Sequence, residues 1–138
     1  MKKSLALIFF LFSTFVNAAG RPDVASNVVA YDGQQGVKVW TLRIGPKSEN
    51  EALVQVEGVD NDWNLKIQKM KVEKTDQDTR YTTTVNGKKF VAMIINSRCC
   101  GELYLPNDPQ NIDIVYSEEL SKEGDAQAFL TNYINQKK

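Results

Sequence analysis

The stretch Arg80-Tyr81-Thr82-Thr83-Thr84-Val85-Asn86-Gly87-Lys88-Lys89-Phe90-Val91-Ala92-Met93-Ile94-Ile95 decides the fold class. Two runs rich in β-branched and aromatic residues flank Asn86-Gly87. That pair accepts positive φ at both central positions of a type I′ turn with the least strain, so the segment reads as a β-hairpin. Phe90 to Ile95 is apolar without interruption, which predicts a central strand buried on both faces.

Working outward, the apolar residues come in short runs separated by turn signals, the spacing of a β-rich chain. Val28 to Tyr31 precedes Asp32-Gly33-Gln34-Gln35-Gly36. From Val37 to Ile44 the pattern alternates, with Val37 and Val39 on one side and Trp40, Leu42 and Ile44 on the other. Gly45-Pro46 ends that run, and Ala52 to Val56 forms the next, stopped by Glu57-Gly58. Leu65 and Ile67 are out of phase with Met70 and Val72, and a bulge near Gln68-Lys69 would restore the pleat. Leu103 to Leu105 and Ile112 to Tyr116 supply two further strands around Pro106-Asn107-Asp108-Pro109.

The period changes at the end of the chain. Ala126, Phe129, Leu130, Tyr133 and Ile134 lie at i, i+3, i+4, i+7 and i+8, one face of a helix. Asp125 is placed to cap its N-terminus, and Lys137-Lys138 complement the dipole at its far end. The expected fold is therefore mainly β (α+β): an antiparallel sheet of about seven strands, a sandwich or half-barrel, with one C-terminal helix covering an apolar face.

The first residues have a different purpose. Lys2-Lys3, the apolar run Leu5 to Val16 and the small residues before Ala19 have the three-part layout of a secretory signal peptide. The apolar run is too short for a transmembrane anchor, which needs about 20 residues. Residues 1–18 are read as the leader, with cleavage after Ala18 or Ala19, and residues 19–138 as a single globular domain in the periplasm. The whole chain carries 17 Lys+Arg and 17 Asp+Glu. Removing Lys2 and Lys3 with the leader leaves 15 basic against 17 acidic, a net charge of −2. Phe9, Phe10, Phe12 and Phe15 also leave, so Phe90 and Phe129 remain of the six.

There is no histidine among the 138 residues. Serine and cysteine hydrolase triads, H-E-x-x-H zinc sites and imidazole acid–base catalysis all require it. No phosphate-binding glycine loop is present, and Lys66, Lys69, Lys71 and Lys74 are offset by Glu73, Asp76 and Asp78. That mixture reads as the solvent face of a strand, with no nucleic-acid partner. Asp60-Asn61-Asp62-Trp63-Asn64 has the start of a calcium loop. The glycine needed at its sixth position is Leu65, and the acid needed at its twelfth is Lys71. It reads as a polar turn carrying Trp63 inward. No enzyme activity, cofactor or metal site is expected.

Cys99-Cys100 is the unusual chemical feature. An exported pair is normally bridged, yet adjacent Cα atoms lie about 3.8 Å apart, short of the roughly 4.4–6.8 Å of an ordinary disulfide. A vicinal bridge, two free thiols and pairing between chains all remain open. Ser97, Arg98, Cys99, Cys100, Gly101, Glu102 and Tyr104 form the candidate binding loop, since Arg and Tyr are common interface anchors and a stiff loop loses little entropy on binding.

In size and general build the expected domain is similar to periplasmic lysozyme inhibitors, which also use a loop to plug their target. The favoured expectation is a binding protein, monomeric or weakly dimeric, without a stable membrane anchor. Its partner would be another envelope protein or a delivered one: it would inhibit a cell-wall hydrolase or confer immunity to a toxin. The alternatives are a small-ligand-binding protein and a structural envelope accessory protein.

Overall fold

The computed structural model describes residues 20–96 and 99–137. The leader read in residues 1–18 lies outside them. Among the described residues, eight strands run in chain order: β1 Val29–Gly33, β2 Lys38–Ile44, β3 Glu51–Glu57, β4 Ile67–Lys74, β5 Thr79–Val85, β6 Lys88–Ile95, β7 Cys100–Leu103 and β8 Ile112–Tyr116. Two helices follow, α1 Glu118–Glu123 and α2 Ala126–Gln136. Each strand pairs antiparallel with the next, and β8 pairs with β1 through Tyr31↔Tyr116, Asp32↔Val115 and Gly33↔Ile114. The result is a closed up-and-down barrel.

The mainly β reading with a helix at the C-terminal end holds, with one strand more than the seven expected. Closure leaves no unpaired sheet edge, which removes the usual template for edge-to-edge aggregation. The hairpin at Asn86-Gly87 is present, with φ of 51° and 78° at the two turn residues and Val85 opposite Lys88.

Two apolar clusters hold the fold. Inside the barrel, Val39, Val54, Val56, Met70, Ala92, Met93, Leu103 and Ile114 fill the lower part of the lumen. On the outer wall, Val28, Ala30, Leu42, Ile44, Leu53 and Ile67 lie under Leu120, Phe129 and Leu130. The alternation read in residues 37–44 places Val39 inside and Leu42 and Ile44 beneath the helix. Strands β1 to β3 are thus buried on both faces. Each fully buried Leu or Ile contributes about 1.5–3 kcal/mol, and Leu42, Leu53 and Leu130 are all at 1% exposure or less.

The helix α2 begins as its sequence dictates. The Asp125 carboxylate accepts from the backbone N–H of Ala128 at 3.1 Å. At its other end Gln136 forms a reciprocal pair with Ile67, accepting from its N–H and donating to its carbonyl, both at 2.8 Å. Those bonds tie the helix end to the first residue of β4. The shorter α1 was not visible in the pattern, because Leu120 is its only buried residue. Ser117 caps it, and Ser121 Oγ accepts from the N–H of Ala30 at 2.8 Å. Among the described residues, no helix is long and apolar enough to cross a membrane.

Two sequence expectations need correction. The bulge is not at Gln68-Lys69, since β3 and β4 pair without a shift from Glu51↔Lys71 to Gln55↔Ile67. Ile67 faces the helix while Met70 faces the lumen, so both phases of one regular strand are buried. The bulge lies in the β5–β6 pair, where Tyr81 is opposite Met93 and Thr82 opposite Val91, leaving Ala92 as the extra residue. It also accounts for the apolar run in β6. Phe90, Ala92, Met93 and Ile95 all reach the inner cluster because the phase switches at Ala92, whereas Val91 and Ile94 stay half-exposed. The run does not mark a strand buried on both faces.

One end of the barrel is closed. Trp63 meets Phe90 edge-to-face, with ring centroids 5.7 Å apart. Its loop is held by Asn61, which donates to the Pro106 carbonyl at 3.0 Å, and by Asn64, whose side-chain oxygen accepts from the N–H groups of Gly58 and Val59. The turn at 60–64 is thus a plug for the lumen, with Trp63 inward as its sequence implied.

Candidate functional site

The opposite end is open. There β1, β3, β5 and β7 begin and β2, β4, β6 and β8 finish, so the connections 45–50 and 75–78, together with Asn96 and Cys99, surround one mouth. Within it is a cavity of about 550 Å³, open to solvent at the top. Its wall includes Tyr31 from β1, Thr41 and Arg43 from β2, Ala52 from β3, Val72 and Lys74 from β4, Tyr81 from β5 and Ile95 from β6. The cavity has room because the inward-facing Thr41 of β2 and Ala52 of β3 are small. Val39, Val54, Met70 and Met93 belong to the inner cluster that fills the rest of the lumen.

Tyr31 is buried, and its phenol is pushed well above the ordinary tyrosine range, by burial first and then by Tyr81 and Tyr116. Burial also raises the Tyr81 phenol, while a hydrogen bond with Thr41 opposes the rise. Thr41 Oγ1 donates to the Val29 carbonyl at 2.8 Å. The wall therefore presents neutral, amphipathic rings beside aliphatic groups.

Three cations line the mouth: Arg43, Lys47 and Lys74. Arg43 donates to the carbonyl of Gly45. Glu51 is the one carboxylate of the lining, and it lies 3.8 Å from the Lys69 ammonium and 3.6 Å from that of Lys71.

The residues read from the sequence do not all converge. Ser97 and Arg98 lie outside the described residues. Cys99 and Cys100 sit at the mouth and are joined to each other, with S–S 1.99 Å and Cα atoms 3.7 Å apart. Backbone bonds hold the bridged pair in the wall. The Tyr116 N–H donates to the Cys99 carbonyl at 2.6 Å, and the Asn96 N–H to the Cys100 carbonyl at 3.1 Å. Gly101 is a buried wall residue at which an added Cβ would overlap the Ile94 carbonyl oxygen. Glu102 and Tyr104 lie farther along, towards the closed end. Glu102 accepts from the Asn111 amide at 3.0 Å and pairs with the Tyr104 hydroxyl. The structure thus brings Cys99 and Cys100 to the mouth and separates Glu102 and Tyr104 from them.

No family model, curated protein or solved structure matches this chain.

The cavity residues were missed by sequence reasoning, since each strand supplies only one or two. A signal was nevertheless present. Arg43 continues the inward phase of Val37 and Val39, and Lys74 that of Met70 and Val72. Long cations on a barrel's inner phase have to emerge at an open end.

Proposed function

We propose that this is a non-enzymatic binding domain of the cell envelope, acting on another protein through the open end of its barrel. The target class is a cell-wall hydrolase that it inhibits, or a delivered toxin against which it protects. One observation carries this reading. Val29, Val115 and Tyr116 are exposed by 39%, 50% and 42%, three of the four exposed large hydrophobic residues among those described. All three lie at the mouth end of the β1–β8 seam: Val29 and Tyr116 on the inward phase at the rim, where Val29 also lines the cavity, and Val115 on the outward phase opposite Cys100. Exposed apolar side chains on both faces of a rigid rim suit docking of a protein over the mouth, because little chain entropy is lost on association. The leader read in residues 1–18 and the absence of histidine support the envelope location and the non-catalytic role.

The test is a pull-down from envelope extract with the mature domain and the variants Val115→Asp, Tyr116→Ser and Arg98→Ala. Leu65→Asp, an exposed site outside the seam, is the control. A partner retained by the control and reduced at least tenfold by the three variants supports the reading. Equal capture by Val115→Asp and the parent would sink it.

A further inference from the structure

We propose that the mouth of the barrel is also a binding site for a small amphipathic anion, a carboxylate or sulfonate carried on one apolar tail or ring. The cavity of about 550 Å³ falls within the roughly 300–1,000 Å³ of small-molecule sites. Because Met70, Met93, Leu103 and Ile114 occupy the lumen beneath it, the ligand enters the upper half of the barrel only.

Charge selects the sign of the head group. Arg43, Lys47 and Lys74 line the cavity, and none of the three makes an ion pair among the described residues. Glu51, the sole carboxylate of the lining, already has two lysines close by. Arg43 gives one guanidinium N–H to the Gly45 carbonyl, and its other donors remain for a ligand. An unbalanced trio of cations beside low-dielectric walls raises the local concentration of anions. The apolar part then lies along Val72, Ile95 and the rings of Tyr31 and Tyr81. Those phenols stay neutral, so they do not repel a negative head group. A polyanion is a poor match, since the three cations surround a recess and the mature chain carries net negative charge.

Calorimetric titration of the full mature domain with octanoate, octanol and octylammonium tests the site. Octanoate should bind at least tenfold more tightly than octanol, and octylammonium should give no binding. Arg43→Gln and Lys74→Gln should weaken octanoate at least fivefold and leave octanol unchanged. Ala52→Leu, which fills the recess, should weaken both. Leu65→Asp should bind octanoate as the parent does. Far-ultraviolet circular dichroism confirms that each variant is folded. Equal affinity for octanoate and octylammonium, or no octanoate binding by the folded parent, overturns the proposal. Neither result bears on the protein-docking seam, whose variants are read by pull-down.

Discussion

Tyr31 and Tyr116 pack edge-to-face across the seam that closes the barrel, their ring centroids 6.2 Å apart at an interplanar angle of 78°. They are also opposite each other in the β1–β8 ladder, so one contact joins the first strand to the last. Replacing each by leucine, singly and together, should reveal a coupling of about 0.5–1.5 kcal/mol in urea unfolding, the usual worth of an aromatic pair. Strict additivity would mean that the rings contribute only through their separate burial.

The closed end makes a second prediction. Trp63→Ala should cost about 3 kcal/mol, the low end for a large aromatic because the ring is only half-buried. Denaturant unfolding measures the loss. Octanoate binding by the folded variant should not change, because the plug and the mouth occupy opposite ends of the lumen.

Stability should fall in alkali through Tyr31 and Tyr81. Both phenols are raised in the folded protein, above the value of about 10 expected of an unfolded chain. The folded state therefore favours the protonated form, and this contribution is complete below about pH 10. It disappears as pH climbs through the raised values. Absorbance at 295 nm should show fewer than all five tyrosines ionising before the unfolding step. In Tyr31→Phe the late step should shrink by one phenol. Ionisation of all five in the native protein would contradict the burial of these rings.

The bridge between Cys99 and Cys100 should matter little to global stability. It spans adjacent residues, so it closes almost no loop in the unfolded chain, and chain-entropy reasoning gives about 1 kcal/mol. The Cys99→Ser/Cys100→Ser double variant should unfold within about that margin of the parent. Thiol titration of the parent under denaturing, non-reducing conditions should find no free thiol, and electrophoresis should show a monomer. A large loss of stability in the double variant would show that the bridge organises more of the wall than its own turn.

The elements with strong local signals were legible in the sequence. Asn86-Gly87 fixed its hairpin, and the spacing of Ala126, Phe129, Leu130, Tyr133 and Ile134 identified α2 and its buried face. Trp63 turned inward as its polar turn implied. What escaped notice depends on distant partners. Barrel closure rests on pairs such as Asp32↔Val115, whose residues carry no mutual mark in the chain. Ile67 and Met70 looked like a slipped strand because two different cores bury opposite faces of β4. The candidate loop was legible only at Cys99 and Cys100, since Glu102 and Tyr104 follow β7 away from the mouth. The cavity was the least visible feature. Thr41, Ala52 and Lys74 become neighbours only after β2, β3 and β4 align, and no single segment holds a motif for it.

The up-and-down order of the strands has an evolutionary consequence. The connections 45–50, 75–78 and 96–99 each join two strands that are already hydrogen-bonded to one another. Any of them can lengthen, shorten or change composition without forcing another pair of strands to slip. Selection can therefore revise the open end one segment at a time, while the Trp63 plug and the α2 buttress preserve the scaffold. Homologues of this chassis should diverge in those segments first and keep their inner-phase residues longest.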